Sequence, residues 1–191
     1  IQKHLLNLED GSLFVSAALD AAAAAIRGIY LRAGFAQVKV ESAVNEIAPP
    51  GNGEGRVKPV IAITEGPLIR IGEITFAGNN AIPTPELLGR LTIAKGQPYY
   101  EANVIQDREN ILNAYLNRGF TDATVAVVPS VNGSQVDLRF NITDGPQSIV
   151  DHILVVGNIK TDTRVIEREI QLKTGQPLNL GQQVSLLVFM M

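Results

Sequence analysis

The sequence of 191 residues contains no cysteine. That absence removes a disulfide framework, thiolate zinc sites and cysteine nucleophiles from consideration. Histidine is nearly as scarce. His4 and His152 stand far apart with no ligand spacing around them, so no metal site is expected. There is no excess of basic residues either: the formal charge is −3, which gives no footprint for nucleic acid or an anionic membrane surface. Long apolar runs are missing too. The longest run of small apolar residues, 17–26, is interrupted by Asp20 and falls short of the ~20 residues a spanning helix needs. No start methionine or basic leader precedes Ile1-Gln2-Lys3-His4, so the opening reads as the middle of a longer polypeptide.

What is present is ordinary in amount and unusual in arrangement. The hydrophobic share is 46% and the charged share 18%, enough for a core in a soluble folded chain of one or two domains. The arrangement is repetitive, and a repeat decides the fold when one exists. Ile74-Thr75-Phe76-Ala77-Gly78-Asn79 returns as Leu154-Val155-Val156-Gly157-Asn158, with Gly78 and Gly157 separated by 79 residues. Gly96-Gln97-Pro98-Tyr99 returns as Gly175-Gln176-Pro177-Leu178 at the same separation, as does Glu65-Gly66-Pro67 in Asp144-Gly145-Pro146. Further upstream the offset is 85: Tyr30 and Gly34-Phe35 match Tyr115 and Gly119-Phe120, and Gly11-Ser12-Leu13-Phe14 matches Gly96-Gln97-Pro98-Tyr99. The extra six residues fall in the Pro- and Gly-rich stretch 48–57, where a loop tolerates insertion. Residues 1–66 therefore read as the tail of one copy, 67–146 as a complete copy, and 147–191 as the truncated start of a third.

Within the complete copy the elements follow from periodicity. Residues 68–76 alternate as a strand with a register break near Gly72. Thr84-Pro85-Glu86 reads as a capping hydroxyl followed by proline at the first helical position, opening a short helix 85–91. Residues 100–118 form a longer helix: Val104, Ile105, Ile111, Leu112 and Tyr115 share one face, while Gln106, Asp107, Glu109 and Asn113 make the polar one. Gly119 ends it. Residues 123–128 make a second strand, Asn132-Gly133 a hairpin turn, and 135–143 a third strand with Val136, Leu138, Phe140 and Ile142 alternating against polar neighbours. The expected fold class is α+β: tandem β-α-α-β-β units, each a three-stranded mixed sheet with two helices packed on one face. The first copy repeats the longer helix over 16–32 and strands near 36–44 and 58–64. The third repeats a strand over 149–156 and a short helix after Thr161 and Thr163.

These blocks resemble the POTRA domain. The likeness lies in a strand closing on Gly78-Asn79, a short helix, Gly96 and Tyr99, a helix ending in Tyr115 and Gly119-Phe120, and a last strand closing on Gly145-Pro146. The resemblance implies a periplasmic polypeptide-binding and docking arm of an outer-membrane β-barrel assembly machine, with no cofactor and no enzymatic activity. It implies as partners unfolded outer-membrane protein clients, accessory assembly lipoproteins or other periplasmic subunits, and a C-terminal outer-membrane β-barrel in the parent chain. A secretion or import pore and a purely structural spacer are the alternatives. The mechanism it implies is strand addition to an open sheet edge, and the second strand of the complete copy is the expected edge, through Thr124, Val125, Val127 and Pro129. Pro129 would blunt the end of that strand.

Other motifs read as structural. Asp107-Arg108-Glu109 is expected to be a solvated helix face, and Gly51-Asn52-Gly53-Glu54-Gly55 a hairpin loop without the lysine and hydroxyl of a phosphate loop. The Gly66-Pro67 and Gly145-Pro146 steps are expected to stiffen joints between copies. Residues 184–191 depart from the repeat, because Val-Ser-Leu-Leu-Val-Phe-Met-Met stands where a polar helix face is expected.

Overall fold

A computed structural model describes residues 13–47, 55–157, 159, 162–170 and 172–179. His4, most of the Gly51–Gly55 run and residues 184–191 lie outside the described residues. The elements in chain order are α1 (Ser16–Arg32), β1 (Lys39–Ile47), β2 (Arg56–Thr64), β3 (Arg70–Ala77), α2 (Thr84–Leu88), α3 (Glu101–Leu116), β4 (Thr124–Asn132), β5 (Gln135–Thr143) and α4 (Thr163–Glu169). The sequence offsets reappear in the backbone. Moving β1 along by 85 gives β4, and moving β2 by 79 gives β5, end to end. Each repeat therefore encodes its elements locally, by turn residues and apolar spacing that recur at the same places.

β1 and β2 form an antiparallel pair in which Lys39 stands opposite Thr64, Val44 opposite Pro59 and Ile47 opposite Arg56. β3, β4 and β5 form a three-stranded sheet in the order β3-β5-β4. β3 and β5 run parallel, because contacts at both ends advance together: the Arg70 amide donates to the Ser134 carbonyl, and the Asn80 amide donates to the Asp144 carboxylate. β4 and β5 are joined by Gly133 and Ser134 alone, with Gly133 at a φ of 62°. That two-residue connection makes them an antiparallel hairpin and the sheet mixed.

The described residues fall into two compact units. One holds the residues up to Gly72 with Lys95–Tyr100 and Val131–Val136; the other holds Glu73–Ala94, Glu101–Ser130 and the described residues from Asp137 onward. The first unit buries Leu19, Ala22 and Ile26 on one stripe of α1, with Val38, Ile69 and Ile71. In the second unit Ile82, Leu87, Val104, Ile111, Tyr115, Val125, Leu138, Phe140 and Ile142 are all buried. Alternate residues of β5 supply the sheet side of that core, while Gln135, Arg139 and Thr143 are exposed. Phe76 stacks on Phe140 at 5.3 Å between ring centroids, a contact worth ~1 kcal/mol beyond its area.

Four expectations are corrected. Thr84 is the first helical residue of α2 and Pro83 precedes it as the cap, without a side-chain capping bond; the Asn79 side-chain amide instead donates to the Ile82 carbonyl and the Thr84 hydroxyl. β4 continues past residue 128 to Asn132, because a two-residue turn pairs the strand along the whole of β5. Pro129 thus sits inside the strand rather than at its end. Residues 149–156 contain no strand, only an isolated bridge between Ile149 and Pro177. No described segment gives them the neighbour that β5 gives β3, and an unpaired strand has no ladder to hold it. Asp107, the fourth, is fully buried.

Candidate functional site

β4 lies at one edge of the three-stranded sheet, with β5 its one neighbour. Carried along by the repeat offsets, the β1–β2 register pairs Thr124 with Thr143, Pro129 with Leu138 and Asn132 with Gln135. A two-residue turn makes the Asn132–Gln135 pair a hydrogen-bonded one. By alternation, the backbone groups of Val125, Val127, Pro129 and Val131 then point away from β5. Pro59, which has no N–H, occupies the place in β2 that Leu138 occupies in β5, so both lie in pairs that do not bond across the hairpin. A proline at 129 costs the ladder nothing, which is why it is tolerated in mid-strand.

The side chains of the expected edge residues divide. Val125 is buried in the core, Val127 is half-buried, and Thr124 and Pro129 are exposed. Val128 and Val131 are 50% and 70% exposed, so apolar surface lies open along the strand. None of the nine residues of β4 carries a charge. Sheet edges are usually blunted by charged side chains, proline or a covering segment, and among the described residues β4 has the proline alone.

The opposite edge is occupied over its first half. The Ile71 amide donates to the Gln97 carbonyl at 2.8 Å, and the Gly96 and Tyr99 amides donate to the Ile71 and Ile69 carbonyls at 2.7 and 2.9 Å. The Gly96-Gln97-Pro98-Tyr99 motif is therefore a strap along β3, bridging Arg70 to Pro98. It explains two of the sequence blocks at once.

The same bonds recur 79 residues later. The Val150 amide donates to Gln176 at 2.9 Å, Gly175 to Val150 at 2.7 Å and Leu178 to Ser148 at 2.9 Å. Each strap also meets the end of the preceding helix. The Ile69 amide donates to the Gly34 carbonyl at 2.8 Å, and the Ser148 amide to the Gly119 carbonyl at 2.7 Å. A Cβ on Gly34 would stand 2.8 Å from the Ile69 carbonyl oxygen, and one on Gly119 would stand 2.5 Å from that of Ser148. Both glycines have φ near +90°, at 95° and 83°, where a side chain adds strain to the overlap. They are the joints between repeats, which the Gly-Phe pattern alone did not reveal. Tyr30 and Phe35 meet edge to face at 5.6 Å, as do Tyr115 and Phe120 at 5.8 Å.

Two carboxylates brace the complete repeat, Asp107 buried and Asp144 half-buried. The Asp107 carboxylate accepts from the Thr92 amide and hydroxyl at 2.9 Å and from the Ile93 amide at 3.0 Å. Reading it as part of a solvated face was wrong, because helical periodicity cannot see the loop amides that satisfy it. Its neighbours Arg108 and Glu109 do pair at the surface. Asp144 accepts from the Asn80 and Ala81 amides, both at 2.9 Å. Burial first, then the Asp144 carboxylate, push the Tyr115 hydroxyl well above its ordinary value. In the first repeat the Glu65 carboxylate first, then burial, raise Tyr30. The tyrosine block and the acidic Gly-Pro block are thus neighbours, although the Tyr115 hydroxyl makes no hydrogen bond among the described residues. These groups hold the fold and offer no nucleophile–base pair. His152 is exposed beside Asp151, and no group of three metal-ligating side chains occurs among the described residues. No described helix is long and apolar enough to cross a membrane.

The profile of the POTRA family, the surface antigen variable number repeat, matches residues 69–145. This segment is a POTRA domain. The match begins one residue before β3 and ends at Gly145. The chain is 26% identical over 166 residues to a relative from Treponema pallidum (strain Nichols) named among outer membrane protein assembly factors, covering 85% of this chain and 20% of that one. It is 30% identical over 134 residues to the outer membrane protein assembly factor BamA of Neisseria meningitidis serogroup B, covering 68% of this chain and 17% of the relative. The chain spans a fifth or less of the curated relatives it matches. In fold it resembles POTRA domains 3–5 of Haemophilus influenzae BamA, with a TM-score of 0.55 at 19% identity over 97% of this chain and 77% of that one.

Proposed function

We propose that this chain belongs to a periplasmic POTRA arm of an outer-membrane β-barrel assembly machine, and that β4 binds client or partner segments by strand addition. In this reading residues 1–66, 67–146 and 147–191 are parts of three successive POTRA domains. The arm is attached to the outer membrane through a C-terminal barrel in the parent chain. Its partners are unfolded outer-membrane protein clients and accessory lipoproteins or other periplasmic subunits. The carrying observation is the asymmetry of the sheet: one edge is strapped and the other, β4, is uncharged and faces outward. An extended segment lying along β4 would gain main-chain hydrogen bonds from Val125 and Val127. Main-chain bonding carries the affinity, so selectivity for client sequence is loose.

The Val127→Pro variant tests this. Its new proline replaces an outward N–H, so the β4–β5 ladder survives and the variant folds. Binding of a peptide from an unfolded outer-membrane barrel protein, measured by calorimetry, should weaken at least tenfold. Unchanged affinity in the folded variant contradicts the proposal. A second reading, a rigid spacer, is favoured by the joints at Gly34 and Gly119, which tie successive repeats by backbone bonds. It predicts no peptide binding at all.

A further inference from the structure

If β4 takes an added strand, the composition of that strand also limits what it accepts. Pro129 stands in the outward-facing series of Val125, Val127, Pro129 and Val131, and it alone in that series has no N–H to give. The ladder open to a partner is therefore broken five residues into a nine-residue strand. On the near side of the break lie two outward donors, Val125 and Val127. On the far side lies one, Val131, next to the turn at Gly133. The side chains flanking the uninterrupted stretch are Thr124, Ala126 and Val128, small and uncharged, with Val128 half exposed. Neighbours of this kind favour β-branched or aromatic partners on an adjacent strand. They offer nothing to compensate a charge brought against them.

We infer that the occupant of this edge is a short, uncharged extended segment of about five residues, rich in β-branched or aromatic side chains, and that Pro129 is its register stop. The inference rests on the strand-addition reading and adds to it a length and a chemistry. It gives the proline a purpose beyond tolerance. An uncharged edge of nine paired residues would invite a second copy of itself, and the break keeps pairing short and reversible.

The test is a length series on the whole chain. The probes are capped Val-Thr repeats of four, six and ten residues, with affinities read by calorimetry and sites by amide shifts. Between four and six residues binding should tighten roughly fivefold, as one further hydrogen bond forms. Between six and ten it should not change. In the Pro129→Val variant the ten-residue probe should gain a further fivefold or more, with new shifts at Val131. If the ten-residue probe outbinds the six-residue one on the unaltered chain, with shifts running through Val131, the register stop is overturned while strand addition stands. Equal gains for an otherwise identical probe carrying glutamates overturn the chemistry. Absence of binding by every probe, in both proteins, overturns the strand-addition reading along with the inference.

Discussion

β1 and β4 occupy the same place in successive repeats, and they are built differently. β1 carries Lys39, Glu41 and Glu46; at the corresponding positions β4 has Thr124, Ala126 and Val131. Val44 of β1 becomes Pro129 in β4. The joints behave in the opposite way. The strap and glycine bonds of one repeat reappear in the next to within 0.1 Å. A feature held constant between repeats serves what every repeat must do, which is to connect. A feature that varies serves what one repeat does alone. On this comparison the joints are architecture, and the β4 edge is where the proposed strand addition would set the second repeat apart.

The largest effect concerns the core of the second repeat. Asp107 of the second repeat stands where the first has Ala22, and both are buried. Asp107→Ala leaves the Thr92 and Ile93 amides without their acceptor and should cost about 3 kcal/mol in denaturant unfolding. Ala22, whose side chain accepts no hydrogen bond, should accept substitution by serine for less than half of that. Next come the joints. Gly119→Ala should cost about 2 kcal/mol through strain and overlap and speed amide exchange at Ser148. Gly34→Ala should do the same at Ile69. Gly133→Ala, at positive φ in open space, should cost only about 1 kcal/mol. If the two joint glycines differ sharply, the joints are not the constant part.

A smaller effect sharpens the edge comparison itself. Giving β4 the charges of β1, by Ala126→Glu with Val131→Glu, should weaken uncharged peptides about threefold in calorimetry and leave thermal stability nearly unchanged. The smallest is a pH effect. Hydrogen bonds from Arg90 and Arg118 hold the Glu86 carboxyl below its ordinary value. A carboxyl lowered in the folded state contributes stability above the ordinary carboxylate range and loses it as pH falls through the lowered value. Glu86→Gln should therefore lower stability slightly at neutral pH, flatten its decline between about pH 5 and pH 3, and leave stability in stronger acid almost untouched.

Much of the fold was legible because each repeat writes its own punctuation. Residues 16–32 and 135–143 were bounded correctly from apolar spacing and turn residues alone. What was not legible is tertiary. Burial of Asp107 depends on amides 15 residues away in sequence, and no helical period carries that information. The strand expected over 149–156 repeats the block of the second copy but has no strand neighbour among the described residues. For the candidate edge, the sequence carries the residues and the proline. The strand order that leaves β4 outermost, and the strap that occupies β3, emerge only when the sheet is assembled.

The most direct test of the account is an amide-shift titration of the whole chain with a peptide from an unfolded outer-membrane barrel protein. The account predicts shifts concentrated at Val125 and Val127, with Val40 and Ser42 of β1 unmoved. Equal shifts on β1 and β4, or none at millimolar peptide, would contradict it.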